Sequence, residues 1–282
     1  MKVAILVLTV LLLFSCTGQD LLEKDLGYYE LKGKVNHLTI LHYYAVEKDG
    51  KIVKGESNKE GEIDQTVSFN KKGYITQAYF YGKTDSLDAK LVRNYNDKQL
   101  CIGETRYDAL GKILMDWIWL YDENSNNTER IQIFEDSSLF SSWFLYYDED
   151  NELIARMAYR SPESVLFDSL YWVLDERGRQ IEEKSYGYYG YYGITKIEYN
   201  GNSDLPAKIY IYDSMDYLTN ILEMQYNDHD LMSTVHQYNA DTLLITAVAF
   251  DYKYDDKGNW ITRIQYFDDE PGNYEERKII YY

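Results

Sequence analysis

Residues 254–260 read Tyr-Asp-Asp-Lys-Gly-Asn-Trp, and the first five positions recur along the chain: an aromatic residue, Asp or Asn, two variable residues and often Gly. We call this five-residue pattern the turn motif. Asp or Asn at the first and Gly at the fourth position of a four-residue segment are typical of a type I β-turn, in which Gly supplies the left-handed residue that rejoins two strands. Residues two apart in a strand share a face, so we expect Tyr254 and Trp260 to flank the turn from one side.

The copies are evenly spaced. Complete and degraded copies start at Phe69, Tyr81, Tyr95, Tyr107, Tyr121, Phe134, Tyr147, Tyr159, Leu174, Tyr186, Tyr199, Tyr212, Tyr226, Tyr238, Tyr254 and Phe267. The spacing leaves about eight residues of strand after each turn, a normal strand length. Short strands with turn signals at even spacing predict an antiparallel β protein, here of roughly sixteen strands.

We therefore predict an all-β fold, an antiparallel meander of hairpin repeats curled into an open spiral, a trough or a wide barrel. The alternative is a β-propeller with about four strands in each blade. The spacing does not favour groups of four, so the meander is preferred. In several copies another residue replaces Gly, and we expect the copy at Tyr95 to be one residue short. The replacing residues are Ser125, Asn151, Ser203, Asp216 and Asp230.

The Tyr-Asp-x-x-Gly rhythm resembles the YD (Rhs-type) repeats, and more closely the small Bacteroidetes lipoproteins that carry degenerate copies. Residues 31–35, Leu-Lys-Gly-Lys-Val, and residues 254–260 both look like that group, and the resemblance covers roughly residues 28–282. It implies antiparallel strands wrapped into broad, curling sheets. The motif contains no catalytic residue, so the resemblance assigns none to this chain.

The N-terminus has the features of a lipoprotein signal. A basic residue, a short apolar run and a small residue precede Cys16, as in a secretory signal peptide, and the run is too short to span a bilayer. We expect residues 1–15 to be the signal peptide, residues 16–27 an acylated Cys16 with its tether, and residues 28–282 a single β-repeat domain. The alternative is a plain signal peptide with an incidental cysteine. The expected location is the bacterial cell envelope, lipid-anchored at the outer membrane, on its periplasmic face or on the cell surface.

Charge and cysteine content restrict the partners. The net charge of −18 opposes binding to nucleic acid, which depends on neutralising phosphates. It also opposes anionic headgroups, which leaves the lipid as the one expected membrane attachment. Apart from Cys16 the only cysteine is Cys101, so no intramolecular disulfide can form in the mature chain. Because Cys101 lies in an apolar run, we expect a buried, inert thiol.

Two aromatic groups are candidate ligand-binding residues. Residues 186–193 read Tyr-Gly-Tyr-Tyr-Gly-Tyr-Tyr-Gly, and Tyr188, Tyr189, Tyr191 and Tyr192 on a mobile loop could stack on sugar rings or on a protein groove. The alternative is a long hairpin connection whose tyrosines pack back onto the sheet, and this reading is preferred.

The second group is Trp117 and Trp119, which alternate along one strand and would share a face. Leu114, Ile118 and Leu120 would crowd the opposite face. Either the sheet is covered on both sides there, or one face is left apolar for a partner. We favour coverage, because curling buries one face of a sheet.

No sequence pattern indicates catalysis. The segment 228–230, Asp-His-Asp, lies in a predicted turn, and no His or Cys spacing typical of a metal site is present. Acidic turns such as 148–150 and 255–256 lack the spacing of a calcium-binding loop. A carboxylate pair for glycoside hydrolysis is recognised in space rather than in sequence. We therefore predict no catalytic residue, no cofactor and no bound metal.

These observations favour an envelope-anchored, non-catalytic binding or scaffold protein that presents a sheet surface to a glycan or a protein. We expect a monomer attached to the membrane through its lipid. The first alternative is a partner or immunity-type protein of a secretion or toxin system, and the second is a glycan-processing hydrolase.

Overall fold

The computed structural model describes residues 25–282 except 59–62, 83–84, 135–137, 151 and 161–164. The predicted signal peptide, Cys16 and most of the tether lie outside these ranges. Within the described ranges, no helix has both the length and the apolar character needed to cross a membrane.

Nearly all of the described regular structure is β-strand. One short helix, α1 (Asp25–Tyr28), comes first. The strands are β1 (Val35–Lys48), β2 (Lys51–Ser57), β3 (Asp64–Phe69), β4 (Ile75–Tyr81), β5 (Leu87–Tyr95), β6 (Cys101–Asp108), β7 (Ile113–Tyr121), β8 (Asn127–Phe134), β9 (Leu139–Tyr147), β10 (Leu153–Arg160), β11 (Val165–Leu174), β12 (Gln180–Gly187), β13 (Gly190–Tyr199), β14 (Pro206–Tyr212), β15 (Leu218–Tyr226), β16 (Met232–Asn239), β17 (Leu244–Tyr254), β18 (Trp260–Phe267) and β19 (Glu270–Tyr281). Every predicted motif start lies within one residue of the end of a strand from β3 to β18. The prediction of about sixteen strands omitted β1, β2 and β19, which precede or follow the motif copies.

The turn motif works as its chemistry predicts. Between β17 and β18, Gly258 N–H donates to the Asp255 carbonyl (3.1 Å), and Asp255 N–H donates to the Asn259 carbonyl (2.8 Å). The Asp255 carboxylate accepts the backbone N–H groups of Lys257 (2.9 Å) and Asn259 (3.0 Å). The same pair of side-chain bonds is made by Asn70, Asp108, Asp148, Asp175, Asp213 and Asn227.

Strand register confirms the predicted facing of the apolar residues around the turn. Tyr254 pairs directly with Trp260, and Tyr147 pairs with Leu153. In both hairpins the register shifts next to this pair, as a bulge requires. The aromatic residue and the residue two positions after the turn are therefore cross-strand neighbours, so each turn is closed by an aromatic–apolar pair.

Residues other than Gly take the left-handed position in several copies. Ser125, Asp216 and Asp230 have φ of 73°, 61° and 63°. The prediction that the copy at Tyr95 is one residue short is wrong: Gln99 occupies the Gly position with φ 66°, and its N–H donates to the Asn96 carbonyl (2.9 Å). The turn that contains Ser203 instead has Gly201 in the left-handed region, and Asn151 lies outside the described residues.

The chain forms two compact units. The central unit is Trp117–Ala247, and the terminal unit combines 25–116 with Val248–Tyr282. The single domain predicted over 28–282 therefore comprises both units. In the central unit each strand from β8 to β16 pairs antiparallel with the next, without interruption. A propeller would break this ladder after every four strands or so, so the antiparallel meander is confirmed and the propeller alternative is wrong.

The sheet of the central unit has two different faces. One face holds the most buried side chains, including Ser141, Ala158, Ile209 and Leu222, each at most 2% exposed. We call it the covered face, and the opposite face the open face. Strand pairing and side-chain alternation assign the remaining residues to one face or the other.

In the terminal unit the first and last strands of the chain are neighbours. β1 pairs antiparallel with β19 and also with β2 and β3. The wide-barrel version of the predicted meander requires such a first-to-last pairing. The core of this unit is a cluster that includes Leu31, Val35, Leu38, Val67 and Phe69.

The two segments that resemble the repeat lipoproteins meet in the terminal unit. The fully buried Asn259 side chain accepts the N–H of Lys32 (2.6 Å), and its amide donates to the Lys32 carbonyl (3.0 Å) and to the Tyr281 hydroxyl (2.7 Å). The asparagine that follows the turn motif at 254–258 thus replaces a strand partner for the N-terminal segment.

The described residues include 25–27, which precede the predicted domain boundary at residue 28. The Asp25 carboxylate in α1 accepts the Ile75 N–H (2.5 Å) and the Arg93 guanidinium (2.6 Å). Residues 25–27 are therefore held by the terminal unit rather than forming part of a free tether.

Cys101 is buried, as predicted. Burial raises the pKa of its thiol to about 11, so the thiolate is scarce at neutral pH and the group is inert.

The left-handed turn positions predict a stabilising substitution. Thr242 is β-branched and exposed, and has φ 60°, a conformation that is costly for such a residue. We expect Thr242→Gly to raise the free energy of unfolding by about 0.5–1 kcal/mol, because relief of strain exceeds the added entropy of the unfolded chain. Urea denaturation would show a higher midpoint with an unchanged slope. Thr242→Ala, which keeps the strain, is the control, and an equal gain in both variants would contradict the assignment.

The contact between the N-terminal segment and the last turn predicts a destabilising substitution. Asn259→Ala would leave the N–H and carbonyl of Lys32 without their partner, at a cost of about 2–3 kcal/mol. Asp256→Ala, at an exposed position of the same turn, should change stability by less than about 0.5 kcal/mol. Thermal unfolding of the three proteins compares them, and similar midpoints for Asn259→Ala and the native chain would disprove this role.

Candidate functional site

The tyrosine-rich segment 186–193 is a tight hairpin. β12 ends at Gly187 and β13 begins at Gly190, and these two residues pair directly. Only Tyr188 and Tyr189 connect the strands. Gly190, at φ 110°, permits the sharp reversal. Both predicted versions of this segment, a mobile loop and a long connection, are therefore wrong, because the strand pairing continues up to the two glycines.

Three of the four candidate tyrosines are exposed on this hairpin. Tyr188 is 62% exposed, Tyr189 90% and Tyr192 55%. The rings of Tyr188 and Tyr189 meet edge to face at 5.0 Å. The ring of Tyr192 lies over Gly187, where an added Cβ would be 2.2 Å from it. Glycine thus provides the flat surface that holds this ring in place.

Tyr191 has a different role from its neighbours. Its hydroxyl donates to the Asp216 carboxylate (2.7 Å), and its ring lies 5.2 Å from that of Tyr186. Burial and the hydrogen bond to Asp216 raise the pKa of Tyr191 to about 12. Because Asp216 belongs to the turn between β14 and β15, Tyr191 fixes its own hairpin to the next tip along the edge.

The neighbouring tips on this edge are also apolar. Met215 and Tyr217, in the β14–β15 turn, are 70% and 66% exposed, and Leu243 and Leu244, at the β16–β17 turn, are 64% and 56% exposed. The three tips are adjacent, because β13 pairs with β14 and β15 pairs with β16. We call their exposed apolar side chains the apolar rim. Its members are Tyr188, Tyr189, Tyr192, Met215, Tyr217, Leu243 and Leu244.

The opposite edge of the same unit has polar turns. Their variable positions are occupied by charged or polar residues in the segments 122–125, 148–150, 175–178 and 227–230. The segment Asp-His-Asp at 228–230 lies in one of these turns, as predicted, and the His229 N–H donates to the Asn227 side chain (2.9 Å). The apolar rim is therefore a property of one edge, and exposed apolar clusters of this kind mark binding surfaces.

Trp117 and Trp119, the other predicted candidates, lie on the covered face. The Trp117 ring meets the Trp143 ring edge to face at 5.6 Å, and the Arg130 guanidinium lies 4.4 Å from the Trp119 ring. Both tryptophans are half-buried. They therefore belong to a packed aromatic–cation layer and do not join the tyrosines of the rim.

The preference for coverage on both sides of this strand is wrong. Leu114, Ile118 and Leu120 are 43%, 40% and 42% exposed. One face of β7 is left open because its tryptophans take the covered side.

Two carboxylates on adjacent strands, Asp168 of β11 and Glu183 of β12, also lie on the covered face. Arg156 donates to Asp168 (2.7 Å), and the indole N–H of Trp172 donates to Glu183 (2.7 Å). Burial raises the pKa of Glu183, and the negative charge of Asp168 adds to this. A carboxyl group whose pKa is raised is suited to act as a general acid. Within the described ranges, no cluster of His, Cys, Asp or Glu could hold a metal ion.

The terminal unit contains a buried charged network with a structural role. The Asp64 carboxylate accepts the backbone N–H of His42 (2.8 Å), and the His42 ring lies 3.9 Å from Glu275, measured from Nε2 to Oε2. Glu275 also accepts Arg263 Nε–H (2.8 Å). The network joins β1, β3, β18 and β19, and its buried groups are paired with one another, as buried charges must be.

Comparison with known proteins gives similarities of fold only. No protein-family model matches the chain, and no curated protein matches it. Similar solved structures include a porin-like protein from Bacteroides uniformis, with 9% identity and a TM-score of 0.45, covering 87% of this chain and 96% of that one. A porin-like protein from Bacteroides vulgatus has 10% identity and a TM-score of 0.25, covering 87% and 98%.

The TcdB2-TccC3-Cdc42 structure has 11% identity and a TM-score of 0.33, covering 80% of this chain and 14% of that one. At such identities and TM-scores, these similarities assign neither a family nor a function. The resemblance to the repeat lipoproteins therefore rests on the sequence motifs.

The bond between Tyr191 and Asp216 predicts a pH dependence. The pKa of Tyr191 is raised from its ordinary value of 10.0 to about 12, so this group stabilises the fold fully below pH 10 and progressively less up to about pH 12. We expect the native chain to unfold at a higher temperature than Tyr191→Phe by a constant margin between pH 6 and 9, and the margin to shrink above pH 10. Asp216→Asn is the partner control, and a margin independent of pH up to 12 would contradict the assignment.

Proposed function

We propose that this protein is a non-catalytic binding protein of the bacterial envelope whose apolar rim engages a glycan. The observation that carries the proposal is the rim itself: seven exposed apolar side chains on three adjacent tips of a chain with net charge −18. Water solvates such a cluster poorly, and its burial against a ligand would stabilise a complex.

The chemistry of the rim suits sugar rings. One face of the Tyr192 ring lies over Gly187, which leaves the other face available to a ligand. Tyr189 is 90% exposed. Tyrosines combine a rigid apolar ring with a hydroxyl and lose little conformational entropy on binding. The acidic residues of the same tips, such as Asp213, can accept hydrogen bonds from sugar hydroxyls. Because these residues are anionic, an uncharged glycan is favoured over an acidic one.

The N-terminal sequence supports the envelope location. Acylation of Cys16 would fix the chain to a membrane, and the stretch from Cys16 to Asp25 would reach about 30 Å when fully extended. The protein would then lie in the envelope compartment, where polysaccharides are met.

The test is binding of the mature chain, carrying Cys16→Ser, to a broad panel of neutral and acidic glycans. We expect binding to a neutral glycan, weakened about tenfold or more in Tyr189→Ala/Tyr217→Ala, because exposed aromatic anchors dominate such interfaces. Tyr146→Ala, at a tyrosine 44% exposed on the open face, is the matched control and should bind normally. All three proteins should have similar melting temperatures.

Two outcomes would contradict the proposal. If Tyr146→Ala lost as much binding as Tyr189→Ala/Tyr217→Ala, the binding site would not be the rim. Absence of binding across the panel would mean that the rim does not bind a glycan. A protein ligand would then be favoured, as expected for a partner or immunity-type protein of a secretion or toxin system.

A glycan-processing hydrolase is a second candidate because of the carboxylate pair Asp168 and Glu183. Release of reducing sugar from a bound glycan, abolished by Glu183→Gln without loss of binding, would favour it. Unchanged release in Glu183→Gln would exclude this pair as the catalytic one.

A further inference from the structure

The polarity of the sheet changes within the central unit. On β13–β16 the covered face is aliphatic, with Ile197, Ile209 and Leu222 buried. The open face of this region carries charge, for example Lys208, which contacts Glu223 at 2.6 Å. This is the ordinary arrangement of a sheet that faces water on one side.

On β8–β11 the arrangement is reversed. The covered face holds Arg130 and Arg156, which lie over the rings of Trp119 and Trp143. It also holds Asp168, which is paired with Arg156. Among the described residues of these four strands, Glu129 is the one charged side chain on the open face. The other large residues of that face are apolar or aromatic. They are Ile131, Ile133, Leu139, Phe144, Tyr146, Met157, Tyr159, Leu166, Tyr171 and Val173.

The same open face continues onto β7 with Ile118 and Leu120. Exposure of these side chains is substantial: Leu120 is 42% exposed, Tyr146 44% and Val173 48%. Neighbours pack across the strands, as the rings of Phe144 and Tyr159 do at 5.8 Å. The result is a continuous apolar surface across five strands.

We propose that the open face of β7–β11 lies against a phospholipid bilayer, in the boundary between headgroups and acyl chains. In strands that contact lipid, apolar residues face outward and polar or charged residues face inward. Tyr146, Tyr159 and Tyr171 supply rings with polar tips, the type of residue that collects at membrane interfaces.

Charge selects the kind of membrane surface. The charged residues of this face, Asp116 on β7 and Glu129 on β8, are both acidic. In a chain of net charge −18, such a face is compatible with zwitterionic headgroups and is repelled by anionic ones. The proposal depends on the predicted envelope location but is independent of the apolar rim, which involves other residues. Lipid contact through this face would add a second attachment to the acylated Cys16, as stable anchoring requires.

The experiment is flotation of the mature chain carrying Cys16→Ser with phosphatidylcholine vesicles, so that no acyl chain contributes. The protein with the native open face should bind to the vesicles and float with them. Leu120→Glu/Tyr146→Glu should lower the partition coefficient about tenfold or more, because two apolar contacts are replaced by charges. Ile221→Glu/Tyr238→Glu adds the same charge on the open face of β15 and β16 and should leave partition within about twofold.

Three results would overturn the proposal. The first is absence of binding to phosphatidylcholine by a protein that is folded by circular dichroism. The second is equal loss in both double variants. The third is a dimer in sedimentation velocity that Leu120→Glu/Tyr146→Glu dissociates, which would assign the face to a second copy of the chain. Increasing the phosphatidylglycerol content should weaken binding, and strengthened binding would also contradict the argument from charge. None of these outcomes depends on glycan binding by the rim.

Discussion

The structure depends on one repeated interaction, the Asp or Asn side chain that accepts two backbone N–H groups of its own turn. At Asp108 both bonds are 2.9 Å, to Leu110 and Lys112. The side chain replaces water as the acceptor for groups that cannot reach a strand partner. Because these hydrogen bonds are local, the register of each hairpin is specified by its own turn. The meander therefore needs few contacts between residues distant in sequence, apart from the pairing of β1 with β19.

The turn conformation depends on the Asp or Asn position and on the left-handed position of the motif. The two variable residues between them can therefore differ in chemistry from one turn to the next. On one edge of the central unit those positions are charged or polar, and on the other they include Tyr188, Tyr189 and Met215. The strands show a similar freedom, since alternation fixes which residues share a face but not which face is apolar. The reversal between β8–β11 and β13–β16 is compatible with one backbone plan, so two surfaces of different chemistry can share a sheet.

Sequence reasoning predicted the strand ends, the turn hydrogen bonds and the aromatic–apolar pairs, because these are contacts within about ten residues. It placed Tyr188 and Tyr189 at a tip but missed Met215 and Leu243, since their adjacency depends on pairing between successive hairpins. It also did not predict that Asp168 and Glu183 share a face, because this depends on how β11 pairs with β12. The error at Gln99 arose because a residue other than Gly can adopt φ 66° when the turn bonds stabilise it.

The most direct test of the account is hydroxyl-radical footprinting of the free mature protein, which reports the exposure of individual aromatic and sulfur-containing side chains. We predict fast oxidation at Tyr189, Met215 and Tyr217, and slow oxidation at Trp172 and Met224, which are 7% and 6% exposed. Comparable rates in the two groups would mean that the tips are packed. The apolar rim, and the binding function built on it, would then be wrong.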